Sequence, residues 1–401
     1  MAEVPPLRTR MLARDPSAQH RAATPLELLF DLCFVAAVGQ AAAQLHHGVS
    51  EGHTAGTLLG YLMVFFAIWW AWMNFTWFAS AYDTDDVPYR ALTLVQMAGV
   101  LVLAAGVPAA FRDYDFTIAT IGYVVMRVAL VAQWLRAARE HPEGRPCTLR
   151  YAVGIGLCQV AWIGRLWLPH PWGEIGFAVL AVAEMLVPVI AERRMQTAWH
   201  PRHIAERYGL FTIIVLGEVV LAVTAGIQED VADGGWSAGL LEIGTGGLLM
   251  IFAMWWIYFK HTVSDHLRDS LTRAIAWGYG HYLVFGGIAA VGAGLEVVID
   301  SHAHKAHLGA AGAALSVAVP LLVYLVVLSV LHVQLVHAGG LMVLATIVGG
   351  ALLLSTAGMA DTLTVEFATL LMGVEMMLVL VAGLVIQHTE PRARELADRR
   401  L

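Results

Sequence analysis

The sequence predicts an all-α polytopic membrane protein with about twelve transmembrane helices, arranged as two parallel six-helix repeats. Composition is the first reason: 58% of the 401 residues are hydrophobic and only 14% are charged, whereas soluble proteins carry roughly 25% charged residues. A mean hydropathy of +0.67 over the whole chain excludes a soluble domain with a single anchor. The other reasons are the spacing of the apolar runs and a similarity between the two halves.

Runs of about 20 apolar residues are long enough to cross a bilayer as a helix. Such runs recur along the entire chain, with short polar connections between them. The twelve predicted spans lie near residues 26–45, 55–79, 88–109, 116–136, 150–168, 173–192, 205–226, 237–260, 273–298, 308–332, 338–359 and 364–387.

Positive charge orients these spans, because Lys and Arg accumulate on the cytoplasmic side of a membrane. With both termini in the cytoplasm, twenty of the 24 Lys and Arg residues lie inside, and Arg127 falls within a span. Outside lie only Arg112, Arg165 and Lys305. We therefore expect a multi-pass protein of the cytoplasmic membrane. The net charge of −7 and the scattered arginines do not favour nucleic-acid binding.

The chain is similar to itself at an offset of about 180 residues. The stretch MVFFAIWWAWMNFTW resembles LLMIFAMWWIYFKHT, and ELLFDLCFVAAVGQ resembles ERYGLFTIIVLGEV. A third match places Asp86 and Arg90 on Asp269 and Arg273. Because each half holds an even number of spans, both halves enter the membrane from the same side, which predicts a parallel repeat.

The predicted divisions of the chain follow from these spans and from the short basic stretch between the halves. They are a cytoplasmic N-terminal tail over 1–24, a first six-helix half over 25–193, a cytoplasmic linker over 194–204, a second six-helix half over 205–388 and a cytoplasmic C-terminal tail over 389–401.

Three stretches, LELLFDLCFV, NFTWFASAYDTDD and ERYGLFTIIVLGE, together resemble the bacterial low temperature requirement A family. The resemblance extends over nearly the whole chain. It implies an integral protein of the bacterial inner membrane that is linked by name to growth in the cold. That name describes a phenotype and not a reaction, so it leaves the chemistry open.

Ionisable side chains inside the predicted spans are the candidate functional residues. A charge at the centre of a span costs about 2.5–3.5 kcal/mol, so such residues usually face the bundle interior and are paired or functional. The sequence predicts an ion, proton or substrate pathway made of Asp31, Glu184, Glu218, Glu375, Arg127 and His281. Arg127 can neutralise one acid, either Glu184 or Glu218. The structural alternative is a charge network that fixes helix packing, with His281 as a hydrogen-bonded partner.

The start of the first span has the order of a capping box, with Thr24 as the N-cap and Glu27 reaching back to its N–H. This places Glu27 near the membrane surface. Asp31 lies one turn further in and caps nothing. It is expected either to pair with Arg90 or Arg207 or to have a functional role.

Two further groups lie toward the predicted cytoplasmic side. Asp83, Asp85 and Asp86 form an acidic motif, in which Asp86 is a plausible N-cap while the other two hold a cation, pair with nearby arginines or are solvated. The second group is the paired tryptophans of the two halves, which serve as membrane anchors or line an aromatic pocket: Trp69, Trp70, Trp255 and Trp256.

The sequence favours a proton- or cation-coupled transporter or channel that uses buried carboxylates. The alternatives are a membrane enzyme that acts on a lipid or isoprenoid phosphate through the acidic motif, and a sensor of membrane state. We expect no cofactor and no metal, because three histidines at irregular spacing in one outer loop (His302, His304 and His307) are a weak metal signal. The expected partners are membrane lipids and an unidentified ion or small molecule, and self-association is left open.

Overall fold

A computed structural model describes residues 6–15, 22–260, 264–267, 270–336 and 339–398, and in these ranges the chain forms helices and connections without any strand. The long helices are α1 Pro25–Ser50, α2 Thr54–Tyr82, α3 Val87–Arg112, α4 Thr117–Glu140, α5 Arg145–Arg165, α6 Trp172–Ala191, α7 Pro201–Gly234, α8 Ala238–Phe259, α9 Leu271–His302, α10 Ala310–Val336, α11 Gly340–Gly358 and α12 Val365–Asp398. One-turn helices occur at Ser264–Leu267 and Ala360–Leu363.

A long helix occupies each of the twelve predicted positions. Eleven of them are long and apolar enough to cross a membrane, which confirms a polytopic membrane protein. The exception is α5, whose sequence includes Arg145, Arg150 and Arg165. These charges lower its hydropathy without preventing the helix.

Local chemistry explains where the helices begin. The Asp86 side chain caps α3 by accepting the N–H of Tyr89 at 3.0 Å. Ser237 caps α8 in the same way and accepts the N–H of Leu240 at 3.1 Å. These bonds satisfy backbone N–H groups that have no partner within the helix.

Glycines allow the helices to pack closely. A Cβ placed on Gly99 of α3 would lie 2.8 Å from the carbonyl oxygen of Gly122 on α4, and one on Gly246 of α8 would lie 2.5 Å from the carbonyl oxygen of Thr369 on α12. Any larger residue would push these backbones apart, so the glycines set the helix separation.

The chain forms two compact units. Unit 1 comprises Met1–Ala41 and Leu59–Leu210, and unit 2 comprises Ala42–Leu58 and Phe211–Leu401. Helices α1, α2 and α7 therefore contribute residues to both units. The predicted boundary at 194–204 and the repeat relation between the halves stay predictions, and Asp269, one of the matched positions, lies outside the described residues.

Candidate functional site

In unit 1, the two acids of α1 meet an arginine of α7. Glu27 and Asp31 lie four residues apart, so they share a face of the helix, and both are fully buried. Arg207 Nη1 lies 2.9 Å from Glu27 Oε1, and its Nη2 lies 2.5 Å from Asp31 Oδ1. The guanidinium is also fully buried, so one cation compensates two carboxylates in this cluster.

Further donors complete this cluster. Trp72 Nε1–H donates to Asp31 Oδ1 at 2.7 Å, and His203 Nε2 lies 3.1 Å from Glu27 Oε1. The two hydrogen bonds of a capping box are present as well, because the Thr24 N–H donates to Glu27 Oε2 at 2.8 Å and the Glu27 N–H donates to Thr24 Oγ1 at 3.3 Å. The side chain of Glu27 is buried, and Arg207 and His203 supply its polar partners. Its position near the membrane surface stays a prediction.

A second buried network in unit 1 surrounds Glu184 of α6. Arg127 Nη2 on α4 lies 3.0 Å from Glu184 Oε2, and Tyr123 O–H donates a short hydrogen bond to the same oxygen. The other oxygen accepts Gln159 Nε2–H at 2.8 Å and Trp162 Nε1–H at 3.1 Å, both from α5. The sequence left Glu184 and Glu218 as alternative partners of Arg127, and the structure shows the pair with Glu184.

Arg127 keeps unused hydrogen-bonding capacity in this network. Its Nη2–H also donates to Asn74 Oδ1 at 3.4 Å, but Nε and Nη1 have no hydrogen-bond partner among the described residues. Buried polar atoms are paired in the great majority of cases. Both carboxylate oxygens of Glu184 therefore accept hydrogen bonds, while two nitrogens of the Arg127 guanidinium have no acceptor among the described residues.

In unit 2, Glu218 of α7 differs from these acids in its lack of a described polar partner. This side chain is half-buried, and it makes no hydrogen bond or ion pair with the residues that the structure describes. Its carboxylate is close enough to Glu296 of α9 for the two charges to interact. An acid without a cation in a membrane-spanning helix is costly, which is why such residues usually have a function.

Glu296 belongs to a polar cluster around His46, a residue that the sequence analysis did not identify. His46 Nε2 of α1 lies 2.6 Å from Asp300 Oδ2, and its Nδ1 lies 4.0 Å from Glu296 Oε2. Ser50 Oγ–H donates to Asp300 Oδ2 at 2.8 Å. The available signal was the spacing of Glu296 and Asp300, four residues apart on α9 like the acids of α1.

Glu375 of α12 is the other acid of unit 2 from the predicted pathway. It is buried, and its Oε1 accepts Thr356 Oγ1–H at 2.6 Å. Its Oε2 has no hydrogen-bond partner, and no described residue forms an ion pair with it. The described partner of Glu375 is thus a hydroxyl, whereas Glu184 of unit 1 has an arginine.

The hydrogen-bond partners of His281 are not acids. Its Nε2 is 3.0 Å from Tyr258 Oη and its Nδ1 is 2.7 Å from the carbonyl oxygen of Trp277. Both ring nitrogens are therefore occupied by neutral groups of unit 2. The role of His281 in a pathway stays a prediction.

The tryptophan pairs differ in environment. Trp69 and Trp70 are 1% and 0% exposed within unit 1, whereas Trp255 and Trp256 are 46% and 47% exposed on unit 2. Half-exposed indole rings on an apolar helix suit contact with lipid. The buried pair packs among other rings, including Phe66, whose centroid is 6.0 Å from that of Trp70.

The acidic loop, residues 83–86, is bound by arginines. Arg136 Nη1–H donates to Asp86 Oδ1 at 2.8 Å, and the Thr9 N–H donates to Asp86 Oδ2 at the same distance. Burial alone would raise the pKa of Asp86, but the hydrogen bonds from Arg136 and from the backbone outweigh it and lower the pKa to about 2. Asp86 is thus an ionised N-cap that also anchors the N-terminal segment.

The other two acids of this loop also have partners. Arg90 binds Asp85 through both carboxylate oxygens, at 2.7 and 2.8 Å. Arg14 Nη1 lies 3.3 Å from Asp83 Oδ2. Of the alternatives for this motif, pairing with nearby arginines is the arrangement that the structure contains.

In the part of the chain that the structure describes, no group of three His, Cys, Asp or Glu side chains is arranged to hold a metal ion. His302 instead joins three helix ends: its Nδ1 lies 2.6 Å from Glu366 Oε1 and its Nε2 lies 3.1 Å from Ser237 Oγ. The three histidines of the loop thus do not come together as one ligand set.

The fold and these networks define a class: a polytopic α-helical membrane protein with charged clusters buried among its spans. The model of the bacterial low temperature requirement A protein family matches residues 22–388, and the chain belongs to this family. It is also 29% identical over 317 residues to an uncharacterized protein of Rhizobium meliloti, an alignment that covers 75% of this chain and 74% of that relative.

Proposed function

We propose that this protein is a proton-coupled transporter or channel and that its proton pathway lies in unit 2. The observation that carries the proposal is Glu218, a half-buried carboxylate on a membrane-spanning helix without a hydrogen bond or ion pair to the described residues. A carboxylate in such a place can bind and release a proton or cation, because no fixed positive charge holds it ionised.

Neighbouring groups support a route for the proton. From Glu218, the next titratable side chain is Glu296, followed by His46 and then Asp300 with its Ser50 hydroxyl. Imidazole changes its charge between about pH 5 and 8, which makes histidine a common proton relay. The series ends at the last turns of α1 and α9, where Asp300 and Ser50 reach the end of the span.

The arginine pairs of unit 1 suit a different role. Arg207 and Arg127 hold their acids in fixed, fully buried ion pairs. A guanidinium stays protonated at any physiological pH, so these clusters are suited to holding helices together. We assign the pathway to Glu218, and we place Asp31 and Glu184 in the scaffold.

The enzyme alternative receives less support from the geometry. A diphosphate-binding magnesium site needs carboxylate oxygens that are available to the metal. In the acidic loop, Asp85 is bound by Arg90 in bidentate fashion and Asp86 by Arg136. These acids would have to exchange strong partners for a metal ion.

Orientation and symmetry also belong to the proposal. The distribution of Lys and Arg favours cytoplasmic termini in the bacterial inner membrane. The three sequence matches favour two parallel repeats, in which α6 with Glu184 corresponds to α12 with Glu375. The low temperature requirement in the family's name would then mean that cells need this transport activity in order to grow in the cold.

The test is proton flux into liposomes that contain the purified protein and a trapped pH dye. The membrane potential is clamped, an inward proton gradient is imposed, and a mixture of small metabolites is added to one set of samples. We expect proton entry either constitutively, as in a channel, or after the mixture is added, as in a transporter. Glu218→Gln should abolish this entry at unchanged protein content.

The matched control is Glu242→Gln, which removes a glutamate from α8 of the same unit and should keep the flux. If the parent protein passes no more protons than empty liposomes under both conditions, the proposal is wrong. Parental flux in Glu218→Gln would instead remove this residue from the pathway.

A further inference from the structure

Unit 1 contains a cavity at the end opposite the acidic loop. It lies between the connection from α3 to α4 and the connection from α5 to α6, and its volume is about 130 Å³. A second, apolar chamber of about 30 Å³ adjoins it. Met63, Phe116 and Arg165 line both spaces, so the arginine stands where the polar cavity meets the apolar chamber.

Arg165 is the central charged group of this cavity. It is only 7% exposed, and it forms no ion pair with any described residue. Its Nη1–H donates to the carbonyl oxygen of Gly173 at 3.1 Å, while Nε has no hydrogen-bond partner. The guanidinium carbon lies 4.8 Å from the centroid of the Phe116 ring and 5.3 Å from that of Phe177. Aromatic faces thus hold a cation that has no carboxylate in direct contact.

Glu174 faces the same cavity and attracts this arginine from a distance, without a direct ion pair between them. Glu174 lines the space, and its Oε1 lies 2.7 Å from His170 Nδ1. Its Oε2 is buried and has no hydrogen-bond partner. Asp115 is a second lining acid. One cavity therefore presents an unused donor on Arg165 and an unused acceptor on Glu174, and the two groups form no ion pair with each other.

The size and lining of the two spaces limit what can enter. A cavity of about 150 Å³ holds benzene, a molecule of six heavy atoms, so the polar space takes a ligand of about that size. The inner chamber has room for little more than a methyl group, and its wall includes Val64, Leu103 and the rings of Tyr123 and Trp162. A ligand that fits both is small and has a compact apolar end.

We propose that this cavity binds a small amino acid such as alanine, with its carboxylate at Arg165, its ammonium at Glu174 and Asp115, and its side chain toward the apolar chamber. A plain carboxylate would add negative charge next to two acids, and a plain amine would leave the Arg165 guanidinium without a carboxylate in direct contact. A zwitterion compensates both groups at once, which is the reason to prefer it.

The test compares alanine with propionate, which lacks its ammonium group, and with ethylamine, which lacks its carboxylate. Binding to the purified full-length protein in lipid nanodiscs is measured by isothermal titration calorimetry. We expect alanine to bind at least about tenfold more tightly than either singly charged analogue, because each analogue leaves one buried group unpaired. No alanine binding, or equal binding of propionate, would overturn the proposal.

Variants locate the site. Glu174→Gln should weaken alanine binding by about tenfold or more, while Asp113→Asn, which removes an exposed acid at the same end of α3, should not. Arg165→Gln should abolish binding, with Arg112→Gln as its control. If Arg165→Gln does not fold, the Glu174 comparison decides, since that side chain is at the cavity mouth. Unchanged affinity in Glu174→Gln would contradict the assignment.

This binding is independent of the proton pathway proposed for unit 2. Calorimetry needs no proton gradient, and Glu218→Gln should bind alanine like the parent protein. Proton flux can therefore fail while alanine still binds, and the reverse, so the two proposals are tested separately.

Discussion

Unit 1 and unit 2 each carry two acids four residues apart on one helix, but the partners of the two pairs differ. In unit 1, Glu27 and Asp31 meet Arg207, and all three side chains are fully buried. In unit 2, Glu296 and Asp300 of α9 meet His46 and remain partly exposed. A guanidinium keeps its charge at all physiological pH values, whereas an imidazole does not. The arginine of unit 1 is suited to a permanent ion pair, and the histidine of unit 2 is suited to taking up and releasing a proton.

The same difference recurs deeper in the units. Glu184 has Arg127 together with three neutral donors, and Glu375 has only the hydroxyl of Thr356. Whether a buried acid has a permanent cation thus separates structural acids from candidates for transport. Four experiments test this distinction.

The largest effect is expected from Arg207→Met. This change leaves two buried carboxylates without their cation, and breaking a buried pair costs about 3–5 kcal/mol even with one acid. The variant should fail to purify as a monodisperse protein or melt far below the parent in a thermal unfolding assay. Adding Glu27→Gln and Asp31→Asn should restore much of the loss. A melting temperature like that of the parent would show that the pair is not structural.

A matched pair of glutamate changes gives the next largest effect. Glu184→Gln leaves Arg127 as an uncompensated buried charge and should cost about 3 kcal/mol. Glu375→Gln leaves no cation unpaired, and the glutamine oxygen can still accept the Thr356 hydroxyl. Its cost in stability should therefore stay below about 1 kcal/mol. Both are read by thermal unfolding in the same detergent. Equal losses would mean that the two acids play the same role.

Acid should weaken the arginine pairing outside the membrane. Because the pKa of Asp86 falls from an ordinary 3.8 to about 2 in the folded protein, its contribution is fully present above about pH 4. It is lost as the pH falls through 2. The stability difference between the parent and Asp86→Asn, on the order of 1–2 kcal/mol, should shrink from pH 5 to pH 2. A difference independent of pH would contradict this account.

The smallest effect on stability is expected from His46→Gln. The histidine is partly exposed, and Asp300 keeps the Ser50 hydroxyl as a donor, so the cost should be below about 1 kcal/mol. Proton flux should nevertheless fall, because glutamine cannot take up a proton. A loss of stability as large as that of Arg207→Met would make the two acid pairs equivalent and end the distinction.

The helices could be predicted from the sequence because a span is a local property. About 20 consecutive apolar residues are required wherever a helix crosses lipid, and the long helices lie at the predicted positions. Even α5, which carries three arginines, was predicted from the apolar run near 150–168. The capping box of α1 was also visible, because its two residues are close in the chain.

The partners of the acids could not be fixed in this way. Arg207 lies 176 residues from Asp31, and sequence reasoning offered Arg90 as well, which instead binds Asp85. His46 was overlooked because a single histidine in an apolar helix has no pattern. Arg165 was counted as one of the few outer charges, and only the packing of α5 against neighbouring rings reveals its cavity.

The glycine contacts between α3 and α4 have a consequence for temperature. Helices in lipid associate through van der Waals contact and hydrogen bonds, since hydrocarbon offers no release of water to drive them together. Water-driven cohesion weakens on cooling, as it does in the interior of a soluble protein. The contact between α3 and α4 at Gly99 and Gly122 does not depend on that force. Cooling is therefore expected to leave the association of these two helices unweakened.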